Sequence, residues 1–157
     1  MSGQPQHSRA IMLSIQPEHA RNILEGTKTA ELRRRFPVGA GGACVLLYAS
    51  SPTCAVVGAV RIVRVHRLPL DQLWRRYQRD ACVSRGQFTC YFAGLMHGTA
   101  IMLSDAVRFR EPVPLANLRD VYDLNPVLSY RYIDGRRGAL LKDRRIRTPL
   151  RVWRGPT

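Results

Sequence analysis

Hydrophobic and polar positions change period several times along the chain, and each change marks an element. AIMLSIQ (10–16) is a short apolar run stopped by Pro17, which predicts a strand. PEHARNILEG (17–26) then sets Ala20, Ile23 and Leu24 at helical spacing, with proline at the helix start and Gly26 at its end. From Thr29 the pattern alternates. Thr29, Glu31, Arg33 and Arg35 fall on one face, Ala30 and Leu32 on the other, which predicts a half-buried strand with its polar side exposed. Lys28 falls on the core side of that alternation. Either the strand begins after it, or it points into a cleft at the sheet edge.

VGAGGA (38–43) is a glycine-rich connection into CVLLYAS (44–50), a nearly all-apolar strand. No Gly-Lys-Ser/Thr follows the glycines, so they form a flexible link and not a P-loop. Residues 54–68 predict a long β-branched strand containing Arg61 and Arg64, with Gly58 marking a bulge or bend. Two short amphipathic helices follow over 69–81 and 84–94, the second with Ser84 as N-cap. Strand character returns at 98–112, and 114–120 carries one or two helical turns. SYRYI, if extended, sets Ser129 and Arg131 on one face and Tyr130 and Tyr132 on the other. Short alternating strands with few helices predict an α+β fold, a small β-barrel decorated by short helices. Residues 1–9 are expected to be a flexible lead and 134–157 a basic C-terminal extension, either a strand-like appendage or an arm that orders on nucleic acid.

Charge changes the picture more than composition does. Lys and Arg total 25 against 11 Asp and Glu, giving +14, and Lys28 and Lys142 are the only lysines. Arginine's planar fork suits bidentate contact with phosphate and base edges, so a polyanionic partner is the leading inference. The apolar runs are strand-length, too short to span a bilayer, and the first residues carry no signal-peptide pattern, so a cytoplasmic location without membrane contact is expected. Cys44, Cys54, Cys82 and Cys90 form no CxxC pair and no histidine stands at zinc-finger spacing. Reduced, mostly buried thiols are therefore expected, with no metal and no cofactor.

Several stretches together, MLSIQPEHARNILEGTKTAELRRRFP, YASSP, VVGAVRI, LWRRY, YFAG, GTAIML and SYRYI, resemble the ASCH domain family, relatives of the PUA domain. The resemblance runs from about Ala10 to Ile133 and is most specific at G-x-K-x-x-E-x-R, met by Gly26, Lys28, Glu31 and Arg33. It implies a PUA-like barrel with a cleft beside the first helix and the following strand. It also implies binding of RNA or a modified nucleotide, and in some members ribonuclease or amidohydrolase activity. The amidohydrolase branch uses a lysine, a threonine three residues on, and a distant glutamate. Lys28 matches, but Glu31 stands at the threonine's place and only Asp80 could replace the glutamate, which argues against that chemistry.

A carboxylate set among Lys28, Arg33 and Arg35 serves better as a fixed acceptor than as a base, for example toward the N4 amine of cytosine. The alternative is an exposed ion-pair ladder of little energetic weight. Ser14 and Gln16 end the first strand beside a helix start that attracts anions, where His19 is either a phosphate neighbour or a plain surface residue. Tyr48 and Ser50 offer a stacking ring and a hydroxyl; Arg61, Tyr130 and Arg131 offer phosphate and stacking contacts. The ligand-binding candidates are thus Ser14, Gln16, Lys28, Glu31, Arg33, Arg35, Tyr48, Ser50, Arg61, Tyr130 and Arg131. Lys28 and Glu31 would be catalytic if the protein is an enzyme. The reading is a nucleic-acid-binding module, RNA ahead of DNA; the alternative is a ribonuclease or a hydrolase of modified nucleosides. No histidine pair suited to metal-free RNA cleavage is evident along the chain, although His19, His66 and His97 could meet in the fold.

Overall fold

The computed structural model describes residues 10–152. The expected lead at 1–9, and Trp153 and Arg154, lie outside them. The elements are β1 (Ala10–Ile15), α1 (Pro17–Leu24), β2 (Ala30–Arg33), β3 (Cys44–Ala49), β4 (Ala55–Pro69), α2 (Leu70–Tyr77), α3 (Arg85–Tyr91), β5 (His97–Pro114), α4 (Leu115–Tyr122) and β6 (Tyr130–Ile133). A 3₁₀ segment (Gly135–Lys142) and α5 (Arg144–Val152) follow. The strands form one six-stranded sheet in the order β2-β5-β4-β3-β1-β6. Only β1 and β3 run parallel, from Ile11 opposite Val45 to Ile15 opposite Ala49; the other pairs are antiparallel.

The central strands read as apolar runs because both faces are covered. On one face Ile11, Leu13, Val45, Leu47 and Ile62 meet Ala20 and Ile23 of α1 and Phe36. On the other, Met12, Leu46, Val56 and Phe109 meet Leu118, Leu140 and Ile146. A third cluster sets Ala30, Leu32 and Ala100 against Leu73, Tyr77, Phe88 and Phe92 of the α2–α3 layer. Each fully buried leucine or isoleucine contributes about 1.5–3 kcal/mol. Gly58 does sit at a shift in the β4 pairing register, and a Cβ there would stand 2.5 Å from both Leu24 Cδ2 and the Val107 carbonyl oxygen. That crowding explains the glycine.

Three expectations need correction. The sheet is not closed into a barrel: β2 and β6 are its edges, and no ladder joins them. Alternation reveals which face a residue takes, not whether the two edges meet. Side chains bridge the open side instead, with Arg33 Nη2 donating to the Ser14 carbonyl at 2.8 Å.

The described part of the basic stretch, 134–152, is neither strand-like nor a free arm. Leu140 and Ile146 are fully buried against the sheet, and Asp143 ties α5 down. Its carboxylate accepts from the Tyr122 hydroxyl at 2.5 Å and from Arg145 at 2.8 Å, while Arg145 also reaches Asn117 at 3.0 Å. Basic residues Arg144, Arg147 and Arg151 remain exposed.

Finally, Cys82 and Cys90 are exposed, so the thiols are not mostly buried; all four cysteines are free. No helix among the described residues is long and apolar enough to cross a membrane.

Candidate functional site

The end of α1 determines where Lys28 points. Gly26 takes φ +85°, a left-handed conformation that stops the helix. The Lys28 amide then folds back to the Asn22 carbonyl at 3.0 Å. The next two amides, of Thr29 and Ala30, donate to the Asp80 carbonyl at 2.9 and 3.1 Å, which seats β2 against the turn after α2. Lys28 is thereby driven inward. It is 2 % exposed, and its Nζ donates to the Ala81 carbonyl.

Glu31 lies between two cations. Lys28 Nζ stands 3.7 Å from its Oε2 and Arg33 Nε stands 3.5 Å from its Oε1. At 7 % exposure this is not the exposed strand face that alternation predicts; both faces of β2 are covered. The ion-pair ladder exists, but it is buried.

The carboxylate forms part of the floor of a cleft of about 1540 Å³. Ser14, Gln16 and His19 come from the β1–α1 corner, and Tyr48, Ser50 and Ser51 from the end of β3. Those are the C-terminal ends of the two parallel strands, where open sheets commonly bind ligands. Gln87 and Tyr91 of α3 form a wall, and Val127, Leu128 and Ser129 form the opposite lip. The wall is held by a capping box: Ser84 Oγ accepts from the Gln87 amide at 3.1 Å, and Gln87 Oε1 accepts from the Ser84 amide at 2.9 Å. Arg34 lies 4.5 Å above the Tyr91 ring and its Nε donates to the Tyr91 carbonyl at 2.8 Å.

Three buried polar atoms in this cleft have no hydrogen-bond partner among the described residues: Ser14 Oγ, His19 Nδ1 and Glu31 Oε2. Leaving such groups unpaired costs about 1–3 kcal/mol each, so their clustering marks a place where something polar is received. Burial, reinforced by the charge of Lys28, lowers the His19 pKa from its ordinary 6.5, so its imidazole is neutral at neutral pH. Burial, followed by a hydrogen bond with Cys54, raises that of Tyr48.

Of the candidate residues, Ser14, Gln16, Lys28, Glu31, Arg33, Arg35, Tyr48 and Ser50 line the cleft. Tyr48 is 5 % exposed and packs in the far core cluster, so it offers no open stacking platform. Arg61, Tyr130 and Arg131 do not line the cleft. Arg61 sits at the other end of β3, opposite Cys44, and donates to the Gly42 carbonyl at 3.2 Å. Arg131 donates to the Asn125 carbonyl at 2.7 Å, and Tyr130 packs on Phe36 with ring centres 4.8 Å apart. His19 reaches the cleft while His66 and His97 do not, so the three histidines do not meet there. Asp80 is also absent from the lining. Sequence reasoning did not single out Arg34, Gln87, Tyr91 or the 127–128 lip; the capping box was the one local signal near them.

Comparison with known proteins fixes the family. The ASCH domain profile matches residues 13–102, more than half of the chain. The chain belongs to the ASCH domain family. An ASCH domain-containing ribonuclease of Zymomonas mobilis is 35% identical over 121 residues, covering 77% of this chain and 80% of that protein. The crystal structure of ASCH from Zymomonas mobilis superposes with a TM-score of 0.79 at 31% identity, over 86% of this chain and 94% of that one. A tyrosine-to-phenylalanine variant of the Zymomonas mobilis protein gives 0.78 at 30% identity, over 85% and 96% of the two chains. The ASCH profile ends within β5, yet the fold described here continues through α5.

Proposed function

We propose that this ASCH domain binds single-stranded RNA, with one nucleotide held in the cleft. The observation that carries the reading is the cluster of Ser14 Oγ, His19 Nδ1 and Glu31 Oε2, each without a hydrogen-bond partner among the described residues, in a cleft bordered by arginines. A carboxylate oxygen that Lys28 approaches only to 3.7 Å, beyond hydrogen-bond reach, can still accept from an exocyclic amine, such as that of cytosine or adenine. Arg33 is occupied with Glu31 and the Ser14 carbonyl, and Arg34 with Tyr91, so the exposed Arg35 is the phosphate contact. A base reaches a cleft of this kind only out of its stack, which favours single strands over duplexes. The volume of about 1540 Å³ leaves room for a modified base.

A second reading, cleavage of that RNA, is favoured by the neutral His19 beside Glu31 and Lys28. The Zymomonas mobilis relative named as a ribonuclease supports it as well. A neutral imidazole at the sugar takes the proton of a 2′-hydroxyl as its oxygen bonds to phosphorus; the bond from phosphorus to the 5′-oxygen breaks, the departing 5′-oxygen takes a proton from water, and the nearby cations offset the charge developing on the phosphate.

Both readings meet in one experiment. Labelled single-stranded RNA, duplex RNA and single-stranded DNA are incubated with the protein across a salt series, with Glu31→Gln alongside, and binding and strand integrity are read from the same samples. Salt-sensitive binding of single-stranded RNA with intact strands, weakened in Glu31→Gln, is the expected result for a binding module. Cleavage lost in Glu31→Gln establishes the enzyme. Equal binding by Glu31→Gln removes the cleft from the account, and no binding at low salt removes nucleic acid.

A further inference from the structure

Outside the cleft, β4 and α2 bring two arginines against one histidine. His66 shares a register row with Ala100 and Leu32, and Arg64 shares one with Met102 and Ala30. Both side chains therefore lie on the sheet face that α2 covers. There Arg64 Nη1 stands 3.4 Å from His66 Nε2, and His66 Nδ1 stands 2.5 Å from the Tyr77 hydroxyl. The Arg76 guanidinium lies 5.6 Å from the centre of the Tyr77 ring. None of these four residues lines the cleft.

A guanidinium only donates, so His66 Nε2 accepts from Arg64 and the ring proton sits on Nδ1, donated to the Tyr77 oxygen. Burial first, then Arg76 and Arg64, lowers the His66 pKa from 6.5. Burial also raises the pKa of Tyr77, with Asp80 adding to it and the two arginines opposing it. Among the described residues no carboxylate reaches ion-pair distance of Arg64 or Arg76; Asp71, on the same helix as Arg76, is paired with Arg75 at 3.2 Å. Two cations thus flank one neutral acceptor with no carboxylate within ion-pair distance to compensate them, among the described residues. An oxyanion placed there would relieve their repulsion and accept from both.

We propose that Arg64, His66 and Arg76 form a phosphate-binding site separate from the cleft. Each guanidinium offers a planar pair of donors to the phosphate oxygens. His66, once a negative group is beside it, takes up a proton and becomes a third donor through Nε2. The row shared by His66 and Leu32, a cleft residue, spans two strand spacings, roughly 10 Å. The site exists independently of the cleft reading. That reading enters only in naming the phosphate source, which is either the backbone of an RNA strand held in the cleft or a free phosphate or nucleotide.

The test follows the histidine ring signals by NMR while inorganic phosphate is titrated at constant ionic strength. A saturable shift of the His66 ring, with its pKa raised in the bound form, is expected, and its loss in Arg64→Gln/Arg76→Gln. Both arginines are exposed, so the double variant should keep the wild-type Tm. A labelled single-stranded RNA forms the second arm. If the source is RNA, the double variant binds it about tenfold more weakly, with a salt dependence shallower by roughly two released counterions. A phosphate-induced shift with unchanged RNA affinity assigns the site to free phosphate or a nucleotide. No saturable His66 shift overturns the proposal. Glu31→Gln separates the two readings, since it disables the cleft and should leave the His66 response intact.

Discussion

Replacing Glu31 by alanine would leave Lys28 buried without its counter-charge. The Lys28 side chain is 1 % exposed and that of Glu31 is 9 % exposed, so water screens the pair poorly. Two unit charges 3.7 Å apart attract by roughly 4–5 kcal/mol at an effective dielectric near 20. Removing one partner of such a pair typically costs about 3–5 kcal/mol, because the survivor's desolvation is no longer offset. For a chain of this size that lowers Tm by roughly 6–20 °C. Lys28→Met should be milder, about 1–3 kcal/mol, because Glu31 keeps Arg33 at 3.5 Å. The double variant Lys28→Met/Glu31→Leu removes both charges and should return to within about 1 kcal/mol of wild type or exceed it. Urea unfolding of all four proteins, followed by far-ultraviolet circular dichroism, gives the four stabilities. The reasoning fails if Glu31→Ala loses under about 1 kcal/mol, or if the double variant is as unstable as Glu31→Ala. The first result would mean that Lys28 finds water through the cleft. The second would mean that the pair matters for its shape and not its charge. A rescued double variant that no longer binds RNA would place the Lys28–Glu31 pair in binding as well as in stability, since its fold would be intact.

Further predictions rest on other contacts. Arg145 holds the Asp143 carboxyl well below the usual carboxylate range. The stability it lends is therefore complete above about pH 4 and is lost as pH falls toward the lowered value. Wild-type Tm should drop across that acid window, while Asp143→Asn, less stable at neutral pH, should show a flatter profile. If the protein cleaves RNA with His19 as base, kcat/KM should rise with pH through a midpoint below 6.5, and His19→Gln should lose that limb. A midpoint above 6.5 would assign the base elsewhere. Gly58→Ala should cost about 1–3 kcal/mol in a thermal melt, because the new methyl meets the Val107 carbonyl oxygen, which cannot turn aside. Ser84→Ala should cost about 1 kcal/mol and raise amide exchange in α3, the helix that walls the cleft.

The parts of this fold legible in the sequence are those set by neighbours along the chain. Pro17 and Gly26 bracket α1, Ser84 caps α3, and Gly58 marks a register shift, because each acts within a few residues of itself. Lys28, Glu31 and Arg33 could be read together because one turn and one short strand hold all three. What failed depends on pairing across distance. Alternation assigned Arg131 to a face and β-branching put Arg61 in a strand, but neither could say which end of a strand borders the cleft. Arg61 lies opposite Cys44, at the end of β3 away from Ser50, and Arg131 lies opposite Met12, two residues short of Ser14. The burial of Glu31 was hidden for the same reason, since residues from distant segments close over it. Charge misled at 134–151: eight basic residues lie between Arg136 and Arg154, yet Leu140 and Ile146 decide where the described part of that stretch packs.

That packing affects how the protein is made. β1 is the first described strand to leave the ribosome, but one of its edges is filled by β6. The face bearing Ala10 and Met12 is completed by Ile133, Leu140 and Ile146, more than a hundred residues later. Throughout synthesis of the intervening chain, a central strand offers bare backbone and apolar side chains to whatever is nearby. The sheet can therefore close only near the end of translation of the described residues, and a ribosome stalled before residue 146 would display a sticky, unfinished sheet. For the same reason, grafting the 13–102 segment alone into another protein would transfer the cleft's sequence without the layers that shape it.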